Sequence, residues 1–170
     1  LLEFVEGHAG YRLSLIGVGQ ASYVKELQER VRMMQGKDRV FFPNRFYSEA
    51  ELWEVARTCH VGIALYDMAG SNFTHYADPG KVKAYAEMHL PVIMTRISDI
   101  VPYVERFHSG EVIDGVDQLT ASIERIRLDY VRYLEGIRNF NEYFEFEEYY
   151  RECFMALAGC WTQEDSLYNQ

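Results

Sequence analysis

Three things are scarce in this sequence, and each shortage closes off a class of function. Cysteine occurs only as Cys59, Cys153 and Cys160, an odd count with no C-x-x-C spacing. Neither a disulfide framework nor a metal site is suggested, and a reducing, cytoplasmic compartment is expected. Basic residues are outnumbered, with 17 Lys and Arg against 26 Asp and Glu and a formal net charge of -9. A carboxylate excess repels phosphate backbones, which argues against a general nucleic-acid binder while leaving room for one nucleotide held by a few local donors. Long apolar runs are missing too. No stretch approaches the ~20 residues that span a bilayer, and no basic-then-apolar leader precedes the first strand.

Aromatics, by contrast, are plentiful, with 13 Tyr and 10 Phe. A chain of 170 residues suits one α/β domain, expected over 1–160 with a polar tail over 161–170. Leu1-Leu2-Glu3-Phe4-Val5 reads as the end of an amphipathic helix without a cap, so an excised domain with a missing upstream partner is expected.

Along the chain, strand-like and helix-like patterns alternate. Tyr11 to Ile16 reads as a buried strand running into Gly17-Val18-Gly19, and Ser22 to Met34 as a helix with Val24, Leu27, Val31 and Met34 on one face, stopped by Gly36. Val40 to Phe42 is a short strand, Pro43 to Tyr47 a loop, and Ser48 with Glu51 a capping box that opens the next helix. His60 to Leu65 is apolar enough for a strand covered on both faces, and the long loop Tyr66 to Gly80 follows. Lys81 to Met88 (helix), Pro91 to Thr95 (strand), Ser98 to Phe107 (helix with Pro102 near its first turn) and Gly110 to Ile113 (strand) continue the alternation. Helical patterns fill Gly115 to about Asn139 and about Glu145 to Leu157.

Alternation of this kind predicts a Rossmann-like, three-layer α/β fold with a mostly parallel sheet, plus C-terminal helices. Ligands of such sheets sit beyond the carboxyl ends of the strands. The loops Gly17 to Gln20, Pro43 to Tyr47, Tyr66 to Gly80 and Thr95 to Asp99 are therefore where function is expected. Gly17 and Gly19 suit close approach to a phosphate, and equally an ordinary strand-to-helix turn. The third glycine of the dinucleotide fingerprint is absent, and no acidic residue closes the next strand, which disfavours a flavodoxin-like or oxidoreductase domain.

The segment from Tyr76 to Ile93 carries the most specific pattern: Pro79, one residue, then Lys81 opening a short helix, an aromatic at Tyr85, and Pro91-Val92-Ile93. It resembles the donor-binding region of GT-B glycosyltransferases (group 1, family 4-like), where a stretch of the type P-x-K-x-x-E-Y-x-x-x-G-x-P-V lies beneath the nucleotide sugar. The resemblance continues through Leu15 to Gly19, Val40 to Phe42, Ser48 to Leu52, His60 to Tyr66 and Ser109 to Ile113, covering roughly Leu1 to Arg125 with the element order kept.

What the resemblance implies is a donor-binding C-terminal domain whose acceptor site, and any peripheral membrane association, belong to a missing N-terminal domain. The nucleotide-sugar-binding residues it implies are Gly17, Gly19, Arg45, Tyr66, Asp78, Pro79, Lys81 and Val82. A diphosphate leaving group needs positive charge and N–H donors, which Lys81 and the helix N-terminus would supply. Arg45, beside Asn44 in the expected base-pocket loop, reads as a phosphate contact or a surface arginine; Asp78 reads as a helix cap or a polar ligand group. No catalytic residue is assigned, and no metal or cofactor is expected beyond the donor itself.

Three departures qualify the match. Ala84 stands where the family carries the glutamate that grips the ribose, Tyr76 where retaining members carry the earlier glutamate, and His89 where glycine is usual. A degenerate, non-catalytic nucleotide- or protein-binding module is the alternative they motivate. Glu87 and His75 read as a solvated helix charge and a loop residue. The run Phe140, Tyr143, Phe144, Phe146, Tyr149, Tyr150, Phe154 has helical spacing, which predicts core or interdomain packing and, in an isolated fragment, an apolar patch suited to dimerisation.

Overall fold

The structure is a computed structural model that describes residues 1–67, 79–145, 150–151 and 153–157. The chain forms two compact units, Leu1–His60 and Val61–Gln170. Both are α/β, every strand pairing among the described residues is parallel, and the architecture is Rossmann-like with C-terminal helices.

The first unit runs α1 (Leu2–Gly7), β1 (Leu13–Ser14), α2 (Ala21–Met33), β2 (Val40–Phe41) and α3 (Glu49–Ala56). Leu13 pairs with Val40 and Ser14 with Phe41, so the paired length is shorter than the six residues from Tyr11 to Ile16 suggested. The Leu15 N–H adds one more rung, to the Phe41 carbonyl at 2.9 Å. Leu2, Val5 and Met34 form a small buried cluster, with Leu13, Leu15, Leu27, Val31 and Val40 packed against it. Arg39 fastens α1: its Nη1 donates to the carbonyls of Val5 (2.5 Å), in the last turn, and of His8 (2.7 Å), just past the helix end. A cation there satisfies carbonyls that a helix C-terminus leaves without partners. The capping box read from the sequence forms, with Ser48 Oγ accepting from the Glu51 N–H and the Glu51 carboxylate accepting from the Ser48 N–H.

The second unit runs β3 (Gly62–Ala64), α4 (Gly80–Glu87), β4 (Val92–Thr95), α5 (Val101–Phe107), β5 (Gly110–Ile113), α6 (Leu119–Leu128) and α7 (Tyr130–Tyr143). Its strands lie in the order β3-β4-β5, with Ile63 beside Ile93 and Ile93 beside Glu111. Each βαβ step moves the same way across the sheet, so right-handed crossovers put α4 and α5 on one face. On that face Ala64, Val92 and Met94 share a cluster with Val82 and Ala86 of α4, Val101 and Val104 of α5, and Ile137 and Phe140 of α7. Residues of β4 alternate between faces. Ile93 and Thr95 therefore point the other way, where α6 packs on β4 and β5 with Leu119, Ser122 and Ile126 fully buried.

Helix and strand approach closely where glycine permits it. A Cβ on Gly62 would fall 2.3 Å from the Tyr85 ring, whose hydroxyl donates to the Ile63 carbonyl at 3.3 Å. A Cβ on Gly136 would fall 2.2 Å from the Phe107 carbonyl, so α7 crosses the end of α5 at backbone contact.

The continuous helical pattern from Gly115 to Asn139 divides at Asp129 (φ -132, ψ 41) into α6 and α7. The break lets α7 cross the α4–α5 face while α6 stays on the other. Residues 150–151 and 153–157 are helical, as their pattern suggests. Of the aromatic run, Phe140 is core, Phe144 half-buried, and Tyr143, Tyr150 and Phe154 exposed; Phe146 and Tyr149 lie outside the described residues.

Among the described residues no helix is long and apolar enough to cross a membrane.

Candidate functional site

In the second unit the carboxyl ends of β3 and β4 are tied together by one side chain. Thr95 Oγ1 accepts from the Tyr66 N–H at 2.9 Å and donates to the Tyr66 carbonyl at 3.2 Å. Thr95 is buried, and Tyr66 is half-buried with its phenol pushed up by burial.

α4 opens beside this bridge. Pro79 is its N-cap and offers no side-chain cap, and Lys81 in the first turn is exposed with its Nζ 5.8 Å from the centre of the Tyr66 ring. Lys81 forms no ion pair among the described residues. Its ammonium thus sits at the mouth of the sheet, next to a helix N-terminus that carries partial positive charge. Val82, one residue on, is 1% exposed and its N–H donates to the Pro79 carbonyl; its side chain seats α4 on the sheet rather than facing the mouth. Asp78, with His75 and Tyr76, lies outside the described residues.

Beyond Thr95 the chain lines a shallow, open cavity of about 340 Å³ with Arg96, Ile97, Ser98, Asp99, Val101 and Pro102. Arg96 is held by Glu105 at 2.8 Å and Asp114 at 3.5 Å, and the Glu105 hydrogen bond is the main reason its pKa is raised. Ser98 Oγ accepts from the Ile100 N–H at 3.2 Å.

In the first unit the two loops expected to bind lie at the carboxyl ends of the parallel pair β1 and β2. Gly17 takes φ 122, a conformation that L side chains rarely adopt, so the turn after β1 depends on glycine there. Gly19 is exposed, and a Cβ on it would sit 3.2 Å from Val24 Cγ2. Arg45 is committed locally: it pairs with Glu51 at 2.7 Å and lies over the Tyr47 ring at 3.9 Å. The Glu51 hydrogen bond raises its pKa, and that contact together with the Ser48 bonds lowers the Glu51 carboxyl to about 2. Asn44 beside it has φ 46 and a buried Oδ1 without a hydrogen-bond partner among the described residues.

The structure therefore gathers Tyr66, Pro79 and Lys81 at one mouth, and sets Gly17, Gly19 and Arg45 in loops of the other unit. Sequence reasoning missed Thr95 as the bridge, Arg96 with its two carboxylates, and Glu51 as the partner of Arg45. Only the last had a signal, because Glu51 was already recognisable as a cap. Among the described residues no group of His, Cys, Asp and Glu is arranged to hold a metal ion.

Comparison of the chain with protein-family models, with curated proteins and with solved structures found no match.

Proposed function

We propose that the chain is the donor-binding half of a glycosyltransferase, holding a nucleotide-diphosphate sugar by its diphosphate for transfer to an acceptor bound by an N-terminal domain. The observation that carries this reading is Lys81: an exposed ammonium, without an ion pair among the described residues, in the first turn of α4 and beside Tyr66 at the carboxyl end of β3. Opposite charge and helix N–H groups at one strand mouth are what a departing diphosphate requires.

A second observation supports the resemblance. His89, at the position where the resembled family carries glycine, has φ 56 and ends α4 in a Schellman motif. The Leu90 N–H returns to the Tyr85 carbonyl at 2.8 Å and the His89 N–H to the Ala86 carbonyl at 2.9 Å. A left-handed residue is required at this point of that motif, which is why glycine is favoured there.

A cytoplasmic setting and an acceptor domain upstream belong to the same reading. Calorimetric titration with UDP, GDP, ADP, CDP and TDP tests it. One of these is expected to bind, and Lys81→Ala is expected to weaken it by about 10- to 100-fold, the worth of one charge-assisted hydrogen bond. Absence of binding to all five rejects the proposal.

Ala84 favours a second reading. It lies on α4 without a carboxylate to grip a ribose, as expected of a non-catalytic nucleotide- or protein-binding module. Glycosyl transfer by the full-length protein separates the two, because the module would bind without turnover.

A further inference from the structure

We infer that the cavity between Arg96 and Pro102 receives the glycosyl unit of the donor, and that its charge admits a neutral or amino-bearing pyranose while turning away a uronic acid. The inference rests on the donor-binding reading above and adds to it the class of sugar.

Position comes first. Thr95 is fixed to Tyr66, whose ring lies 5.8 Å from Lys81 Nζ, and the cavity begins at the very next residue. The cavity therefore lies at the same edge of the sheet as Lys81, at the carboxyl ends of β3 and β4. Size agrees: about 340 Å³ is at the small end of ligand pockets, which run from about 300 to 1,000 Å³, and suits a single ring better than a whole nucleotide sugar.

Chemistry decides the class. Val101, Pro102 and Ile97 give the cavity an apolar component against which a pyranose face can lie, and Ser98 and Asp99 give it a hydroxyl and a carboxylate. The Ser98 oxygen already accepts from the Ile100 N–H, which leaves its O–H to donate. Asp99 is exposed and forms no hydrogen bond or ion pair among the described residues, so both its oxygens can accept from adjacent sugar hydroxyls.

The cation of the cavity is not open to a sugar carboxylate in the same way. Arg96 is ion-paired with Glu105 and Asp114, so its charge is offset by two carboxylates, and Asp99 adds a further negative charge to the lining. The balance at the rim is negative, which repels a second carboxylate and tolerates a hydroxyl or an ammonium.

Calorimetry on the 170-residue chain tests this, with UDP-glucose set against UDP-glucuronate, GDP-mannose against GDP-mannuronate, and UDP and GDP alone as references. The neutral member of the pair that binds should be tighter by about tenfold, the scale of one charge repulsion near a surface. Asp99→Asn should shrink that preference and Asp99→Lys should reverse it, each read as the ratio of the two sugar-nucleotide affinities for the same variant, so that any change in diphosphate affinity cancels. Equal binding of the neutral and uronic members, or a preference that Asp99→Lys does not move, overturns the inference and leaves diphosphate binding standing. If none of the five diphosphates and none of these sugar nucleotides binds, the donor-binding reading falls and the inference falls with it.

Discussion

β2 and β4 are both short apolar strands, yet their surroundings differ at every residue. In β4 all four residues are buried, because strands flank it on both sides and helices cover both faces. In β2, Val40 is half-buried and Phe41 is 50% exposed, in a pair with a single neighbouring strand among the described residues. Apolar character alone therefore does not bury a strand; the number of elements that can lie against it does. The second unit concentrates its burial around one strand, whereas the first relies on a small cluster and on local polar fastenings such as Arg39 and the Ser48–Glu51 box.

The strongest way to break this contrast uses one residue type in both places. Phe140 is 1% exposed and packs on Phe107 and Phe144, with ring centroids at 6.2 and 4.6 Å. Phe140→Ala should destabilise by about 3–5 kcal/mol in denaturant titration. Phe41→Ala should cost less than about 1 kcal/mol, since half of its side chain is already in water. Similar losses for the two would mean that Phe41 is covered in solution, and the contrast would disappear.

A smaller effect sharpens the role of polar fastenings in the first unit. Glu51 is lowered from the ordinary 4.5 to about 2 by Arg45 and Ser48. A depressed carboxyl contributes stability that is fully present above its unfolded pKa and is lost as pH falls through the folded one. The difference in denaturation midpoint between the protein and Glu51→Gln should thus be constant above about pH 5 and fade between 4.5 and 2. Because both side chains of the pair are about half exposed, added salt should reduce it.

The smallest expected change is a gain. His89→Gly removes the cost of a left-handed histidine at the end of α4 and should raise stability by about 1 kcal/mol or less, read as a rise in melting temperature.

Local signals were legible in the sequence, and long-range ones were not. Gly110 to Ile113 is the strand its residues suggested, the helix after β1 differs from its pattern by one residue at each end, and the Ser48 capping box forms with the expected partner. Each depends on residues a few positions apart. The division at Asp129 was invisible because the helical spacing continues through it, and only packing of α6 and α7 on opposite faces demands a break. Glu111 looked like an ordinary strand residue. Its carboxylate instead accepts from Arg125 of α6 at 2.7 Å and from the Tyr133 hydroxyl of α7, a network that raises the Tyr133 phenol through burial and the Glu111 bond. At the candidate site, Lys81 and Pro79 carried a pattern, whereas the Thr95–Tyr66 bridge joins residues 29 apart and left no trace in spacing.

That bridge has a consequence for anything that settles at the strand mouth. With one hydroxyl Thr95 occupies both the N–H and the carbonyl of Tyr66, doing the work of a ladder rung past the point where β3 ends. The backbone on that side is ordered when the chain folds, and not when a guest arrives. Ordering a loop on association usually subtracts from affinity. A rim that is preorganised on one side lets a small molecule bind with little entropy lost by the protein there, and confines any adjustment to the other side.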